Sequence, residues 1–210
     1  MSYFRVLLIL LVIGRAFIFA GSSFAETPHE ALIRAGEAMD SGDGSTFQSL
    51  VDLDSVIGKT LDAFIEETAK PDNKKILPQA VIFIFSQAAD PGFKGQTMRR
   101  LMTSEAKAFV LNGVTSGAFA GKKLKSGSEA GILAPLLTNV SMGRKEIRGV
   151  GDGRPDGEDF ILPFYLHDYG NDQDYAVVGR FHPDGDSWKL TAIENLPQIF
   201  EQLRREALAF

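Results

Sequence analysis

What most restricts the fold is a change of hydrophobic period near residue 138. Beyond it, apolar and polar residues alternate in short runs, the pattern of strands that bury one face. Phe160, Leu162, Phe164 and Leu166 share one phase, and Tyr175, Val177, Gly179 and Phe181 share the next. Trp188, Leu190 and Ala192 form a third set. Gly151 to Gly157, Gly170-Asn171-Asp172 and Pro183-Asp184-Gly185 divide the runs with residues that preset a turn or tolerate positive φ. Together with 144–150 in front, this predicts four strands, at 144–150, 159–167, 174–182 and 187–194, in an antiparallel meander. A sheet apolar on one face needs a covering layer, and only the preceding half of the chain can supply it.

That half reads as helical. Thr27 caps a helix with Pro28 at its first position, Glu30 closes a capping box, and Gly42 stops it. Ala31, Leu32, Ala35, Ala38 and Met39 form its apolar stripe. Further helices are predicted at 45–50 and 53–70, the latter on the spacing of Val56, Ile57, Leu61, Phe64 and Ile65. The run Ala80 to Phe85 lies in a fourth, at 76–89, too short to span a bilayer. A fifth begins at Thr103 or Ser104 and ends at Asn112, after a looser stretch from Met98 to Met102. Gly113, Gly117 and Gly121 recur every four residues, as in close-packed membrane helices, but Thr115, Ser116 and Lys122 make the surroundings polar. Because repeated glycine weakens a helix interior, this stretch reads as a glycine-rich loop or frayed helix end. Pro197 opens a last helix over 198–209. The expected class is α+β, N-terminal helices packed on a C-terminal four-stranded antiparallel meander with a final helix. One domain spans 26–210: mainly helical over 26–138, sheet over 139–196, helix over 197–210.

The first 25 residues read as an export signal. Arg5 precedes the apolar run Val6 to Ile13, and Ser23 and Ala25 supply small residues at the −3 and −1 positions of a peptidase site. Arg15 interrupts the apolar stretch, which is far below the ~20 residues needed to cross a bilayer. A cleaved signal is therefore expected, with an uncleaved anchor as the alternative. The chain has no cysteine, so disulfides, a lipid-modified cysteine and thiol catalysis are excluded. Export without cysteine suits a bacterial periplasmic or secreted domain. Loss of Arg5 and Arg15, with no acid, would take the formal charge from −5 to −7. Such an acidic balance speaks against nucleic-acid partners and against general attraction to membranes after cleavage.

Helices followed by a meander that closes on Gly185-Asp186-Ser187-Trp188-Lys189-Leu190-Thr191-Ala192-Ile193 resemble the nuclear transport factor 2-like superfamily. Within it, the alanine helix Ala31 to Ala38 and the segment Phe47 to Val56 resemble secreted bacterial proteins of unknown function. The resemblance implies a cone-shaped α+β fold in which a bent sheet wraps a helix. Enzymes of this superfamily, isomerase- and dehydratase-like, use an Asp or His inside the cone as a proton-transfer base.

On that implication His167, beside Asp168, is the candidate base, with Tyr165 and Arg180 to polarise a substrate oxygen. The competing reading has strand-end histidines, His167 and His182, exposed and inert, and His29 solvated at the helix start. Phase places His167, His182, Tyr165 and Arg180 on the face opposite the main apolar one. The acidic loop from Asp152 fails as an EF-hand because Arg154 and Pro163 occupy its third and twelfth places. No clustered His or Cys predicts zinc, and no phosphate loop or nucleophile motif occurs, so neither metal nor cofactor is expected. The expected function is non-enzymatic binding of a small molecule or a periplasmic protein. The alternatives are a proton-transfer enzyme and a membrane-associated oligomer built on Gly113 to Gly121.

Overall fold

The computed structural model describes residues 26–71, 73, 79–123, 133 and 143–208. The signal segment and residues 139–142 lie outside the described residues, as does the end of the predicted final helix. The molecule is α+β, with helices first, an antiparallel sheet and a last helix.

Helix α1, Pro28–Ser41, starts on the predicted capping box: the Thr27 hydroxyl accepts from the Glu30 amide at 3.2 Å, and the Glu30 carboxylate accepts from the Thr27 amide at 2.8 Å. It ends at Gly42 in the left-handed region, φ 79°. Asp43 caps α2, Gly44–Leu50, and Asp52 caps α3, Leu53–Ala69. Between α2 and α3 the chain touches the sheet edge: Val51 bridges Leu190, and the Asp52 amide donates to the Leu190 carbonyl at 2.9 Å. The apolar run at 80–85 is helical, within α4, Gln79–Ala88.

Helix α5 is continuous over Phe93–Thr115, which corrects the loose stretch predicted at Met98–Met102 and the short helix after it. The Arg99-Arg100 pair interrupts the apolar pattern only superficially. Arg99 donates to the Ala88 carbonyl at the end of α4 and pairs with Asp62 of α3, while Met98, Met102 and Ala106 hold the helical period against the core. Gly113 lies inside α5, but Gly117 and Gly121 follow it at φ 76° and 85°, so the three do not form a stripe on one helix. No helix among the described residues is long and apolar enough to cross a membrane.

The sheet comprises β1 (Lys145–Arg148), β2 (Arg154–Asp156), β3 (Asp159–Asp168), β4 (Gln173–Asp184) and β5 (Ser187–Ile193). Its order is β1-β3-β4-β5, all antiparallel, with β2 also pairing β3. The stretch predicted as one turn, 151–157, contains β2. Gly157, at φ 66°, makes a tight hairpin that returns β2 onto β3. A second correction concerns Ala192. A bulge at Thr191 leaves Ala192 opposite Arg180 and puts Ile193 opposite Gly179, so Ile193 takes the inner-face place predicted for Ala192.

The inner face is filled. Leu162, Phe164, Tyr175, Val177 and Phe181 pack with Leu32 of α1, joined by Ile199 of α6, Leu196–Leu208. A second cluster joins α3, α4 and α5 through Leu61, Ile65, Val81, Phe85 and Met102.

Candidate functional site

Strand register determines what each outer-face residue meets. His167 stands opposite Glu146 on one side and Asp174 on the other. Its Nδ1 lies 2.8 Å from Asp174 Oδ1, and its Nε2 lies 3.6 Å from Asp172 Oδ1. The ring is buried, contrary to the exposed reading, and meets Tyr169 edge-on at 4.4 Å between centroids. The Tyr169 hydroxyl donates to Glu146 at 2.6 Å and accepts from Arg148 at 2.7 Å. Arg144 and Arg148 place their guanidinium carbons 5.0 Å and 5.2 Å from the Tyr169 ring centre. The Tyr169 hydroxyl, followed by Arg148, holds the Glu146 carboxyl below its ordinary value. The Asp174 carboxylate orients His167 through Nδ1, while Asp172, near Nε2, lies beyond hydrogen-bond distance.

Arg180 belongs to a separate group. Its Nε donates to Glu194 at 2.6 Å, and its two terminal nitrogens reach Asp159 and Asp156 at 2.9 Å each. Those bonds, Glu194 first, raise its already high pKa. His182, exposed, shares Asp159 at 2.6 Å, and its hydrogen bond, followed by that of Arg180, holds the Asp159 carboxyl low. A guanidinium engaged by three carboxylates has little left with which to polarise a substrate.

Tyr165 lies between these groups, 49% exposed, with its ring close over Gly149. Arg180 is registered to Ile161, four residues from Tyr165 and six from His167. At about 3.3 Å per residue those offsets are roughly 13 Å and 20 Å along the strand. His167, Tyr165 and Arg180 therefore share a face without converging on one reacting atom. His29 also departs from the solvated expectation: its Nε2 lies 3.2 Å from the Gly151 carbonyl, and its ring packs near Phe160.

One polar group on the inner face escaped the sequence reading. Lys145 and Asp168, opposite each other in register, form a largely buried pair at 2.7 Å. Nearby, Asn171 donates to the Tyr175 hydroxyl at 2.7 Å, which donates to Glu206 of α6 at 2.8 Å. Burial, with Glu206 adding to it against the Asn171 bond, pushes Tyr175 up to about 12. The signal was present in the phase of β3, where the inner series Phe160, Leu162, Phe164, Leu166 ends on the acid Asp168. A shallow depression of about 380 Å³ lies elsewhere, along the exposed side of α1, lined by Glu26, Glu30, Ile33, Arg34 and Glu37. Among the described residues no cluster of three or more His, Asp or Glu is placed to hold a metal ion.

Comparison with protein-family models, with curated proteins and with solved structures gives no match to this chain.

Proposed function

We propose that this chain is an exported binding protein of the nuclear transport factor 2-like kind, and that it recognises a protein partner through the outer face of the sheet. One observation carries the reading: Tyr165 and Tyr169 stand 49% and 44% exposed on that face, on a base stiffened by Glu146, Arg148, His167 and Asp174. Tyrosine and arginine on a rigid support are the residue types that dominate protein interfaces, because they offer large contact area at small ordering cost. Filling of the inner face by Leu162, Phe164 and Phe181 favours this surface over a cone pocket. The order β1-β3-β4-β5 with helices on one face supports the superfamily reading. The test places a photo-crosslinking residue at position 165 in cells carrying the full chain. A discrete protein adduct, lost in Tyr169→Ala, is the expected result; adducts absent from positions 165 and 169 alike would refute it. Export is tested separately, by osmotic-shock fractionation and by a mature N-terminus at Glu26.

The proton-transfer reading keeps one supporting observation, the 2.8 Å approach of Asp174 to His167 Nδ1. Against it stand the burial of that ring, the acid at its other nitrogen and the separation from Arg180. Turnover of enol, ester or sugar substrates that vanished in His167→Ala would restore it.

A further inference from the structure

Helices α4 and α5 are joined by the four residues 89–92 and lie against α3. Val81, Phe85 and Ala88 of α4, with Met98, Met102 and Ala106 of α5, bury their shared core side. At about 100° per residue, Phe83 falls on the opposite side of α4 from Val81 and Phe85, and Phe93 on the opposite side of α5 from Met102. Phe93 is 77% exposed, Phe83 64% and Leu101 44%. The first two are the most exposed of the large apolar side chains among the described residues.

Charge is distributed unevenly around them. From Gln79 to Ser104 the chain holds Lys94, Arg99 and Arg100 and a single acid, Asp90, although the whole molecule is acidic at −5. Asp90 accepts the Gly92 amide at 2.6 Å and so closes the connection between the helices. The cations facing α3 are engaged, Arg99 with Asp62 and Lys107 with Asp54. Lys94 and Arg100, on the same side as Phe93 and Leu101, form no ion pair among the described residues. We propose that this outward side of α4 and α5 docks on an anionic lipid surface, inserting Phe83, Phe93 and Leu101 while Lys94 and Arg100 meet the lipid phosphates. Apolar tips beside unpaired cations with long aliphatic stems match an interface where hydrocarbon lies under a negative layer. The surface has few acids to repel a negative layer, Asp90 being the one carboxylate from Gln79 to Ser104. It is separate from the sheet face, so this inference stands independently of the proposed partner.

The absence of native cysteine makes the test clean. Full-length L101C, labelled with a polarity-sensitive fluorophore, is mixed with phosphatidylglycerol/phosphatidylethanolamine vesicles and with phosphatidylcholine vesicles. A blue shift with the anionic vesicles, weakened by salt and small with phosphatidylcholine, is expected. The same label at D172C, in the β3–β4 turn, controls for attachment through residues 1–25 and should stay unshifted. Combining K94E and R100E should lower apparent affinity roughly tenfold or more, given about 1 kcal/mol per basic residue near an anionic surface; F93S should weaken binding without removing its salt dependence. The inference is overturned by no L101C shift at low salt, by a shift that K94E/R100E leaves intact, or by equal shifts at both labels. A response to an added acidic protein but not to vesicles would overturn it too, and assign the surface to a protein.

Discussion

Gly113 shows how a single position can set two helical rules against each other. Alanine is preferred over glycine in a helix interior by about 1 kcal/mol. Here, however, a Cβ would fall 2.3 Å from the Phe119 ring, which folds back over the glycine and is almost wholly buried. Displacing that ring forfeits more than the propensity gain, since burying a phenylalanine is worth roughly 1.5–3 kcal/mol. Gly113→Ala should therefore lower the denaturant midpoint, with a net loss of about 1–2 kcal/mol and an unchanged slope. Tyr175 gives a prediction in pH. Its unfolded value is about 10 and its folded value is pushed up to about 12, so the neutral hydroxyl stabilises the fold. That contribution is complete below pH 10 and is lost as pH rises through 12. Tyr175→Phe should remove this alkaline component from a pH series of urea midpoints, and cost about 1 kcal/mol at neutral pH by parting Asn171 and Glu206 from their shared hydroxyl.

Among the elements, α6 has a role beyond its apolar contacts. β5 stops at Ile193, which would leave the edge of β4 open from Asp174 to Val178. The Asn195 side chain accepts from the Val178 amide and donates to the Ala176 carbonyl, each at 2.8 Å, and the Gln202 amide donates to the Asp174 carbonyl at 3.1 Å. Side-chain amides thus stand in for the missing strand and cover an edge that invites self-association. In the double variant Asn195→Ala/Gln202→Ala, amide exchange at Val178 should accelerate and sedimentation should reveal concentration-dependent self-association. Unchanged exchange at Val178 would show that the cover is decorative. Elements of this kind mark the limit of sequence reading. α1 was legible because the Thr27–Glu30 box and Gly42 are local signals, and β3 because its alternation is unbroken. β2 was hidden inside turn-forming residues, since its pairing with β3 depends on Gly157 rather than on any apolar pattern. Ala192 was misplaced because the bulge beside it lies in the register, which no single strand carries. The dispersal of His167, Tyr165 and Arg180 follows from the same register, and so does the Lys145–Asp168 pair.

At the level of the whole molecule, the cluster of the sheet and α1 and that of α3, α4 and α5 are linked by a third, in which Leu50, Val51 and Leu53 pack with Trp188 and Leu190 of β5. Proposed partner and lipid contacts fall on different faces, so the molecule could hold both together. The first described residue then takes on a meaning of its own. The Glu26 amide donates to the Asp186 carbonyl at 3.0 Å, and its carboxylate receives both Arg34 and the Ser187 hydroxyl. Cleavage after Ala25, as proposed, cuts the bond directly beside this clasp on the β4–β5 turn. A peptidase needs its bond extended and free, and the hydrogen bonds of Glu26 to the β4–β5 turn compete with that access. On that proposal maturation becomes a race between proteolysis and the final closing of the hairpin, and Glu26→Ala, by slowing the closing, should raise the yield of processed protein when precursor is presented slowly to the enzyme.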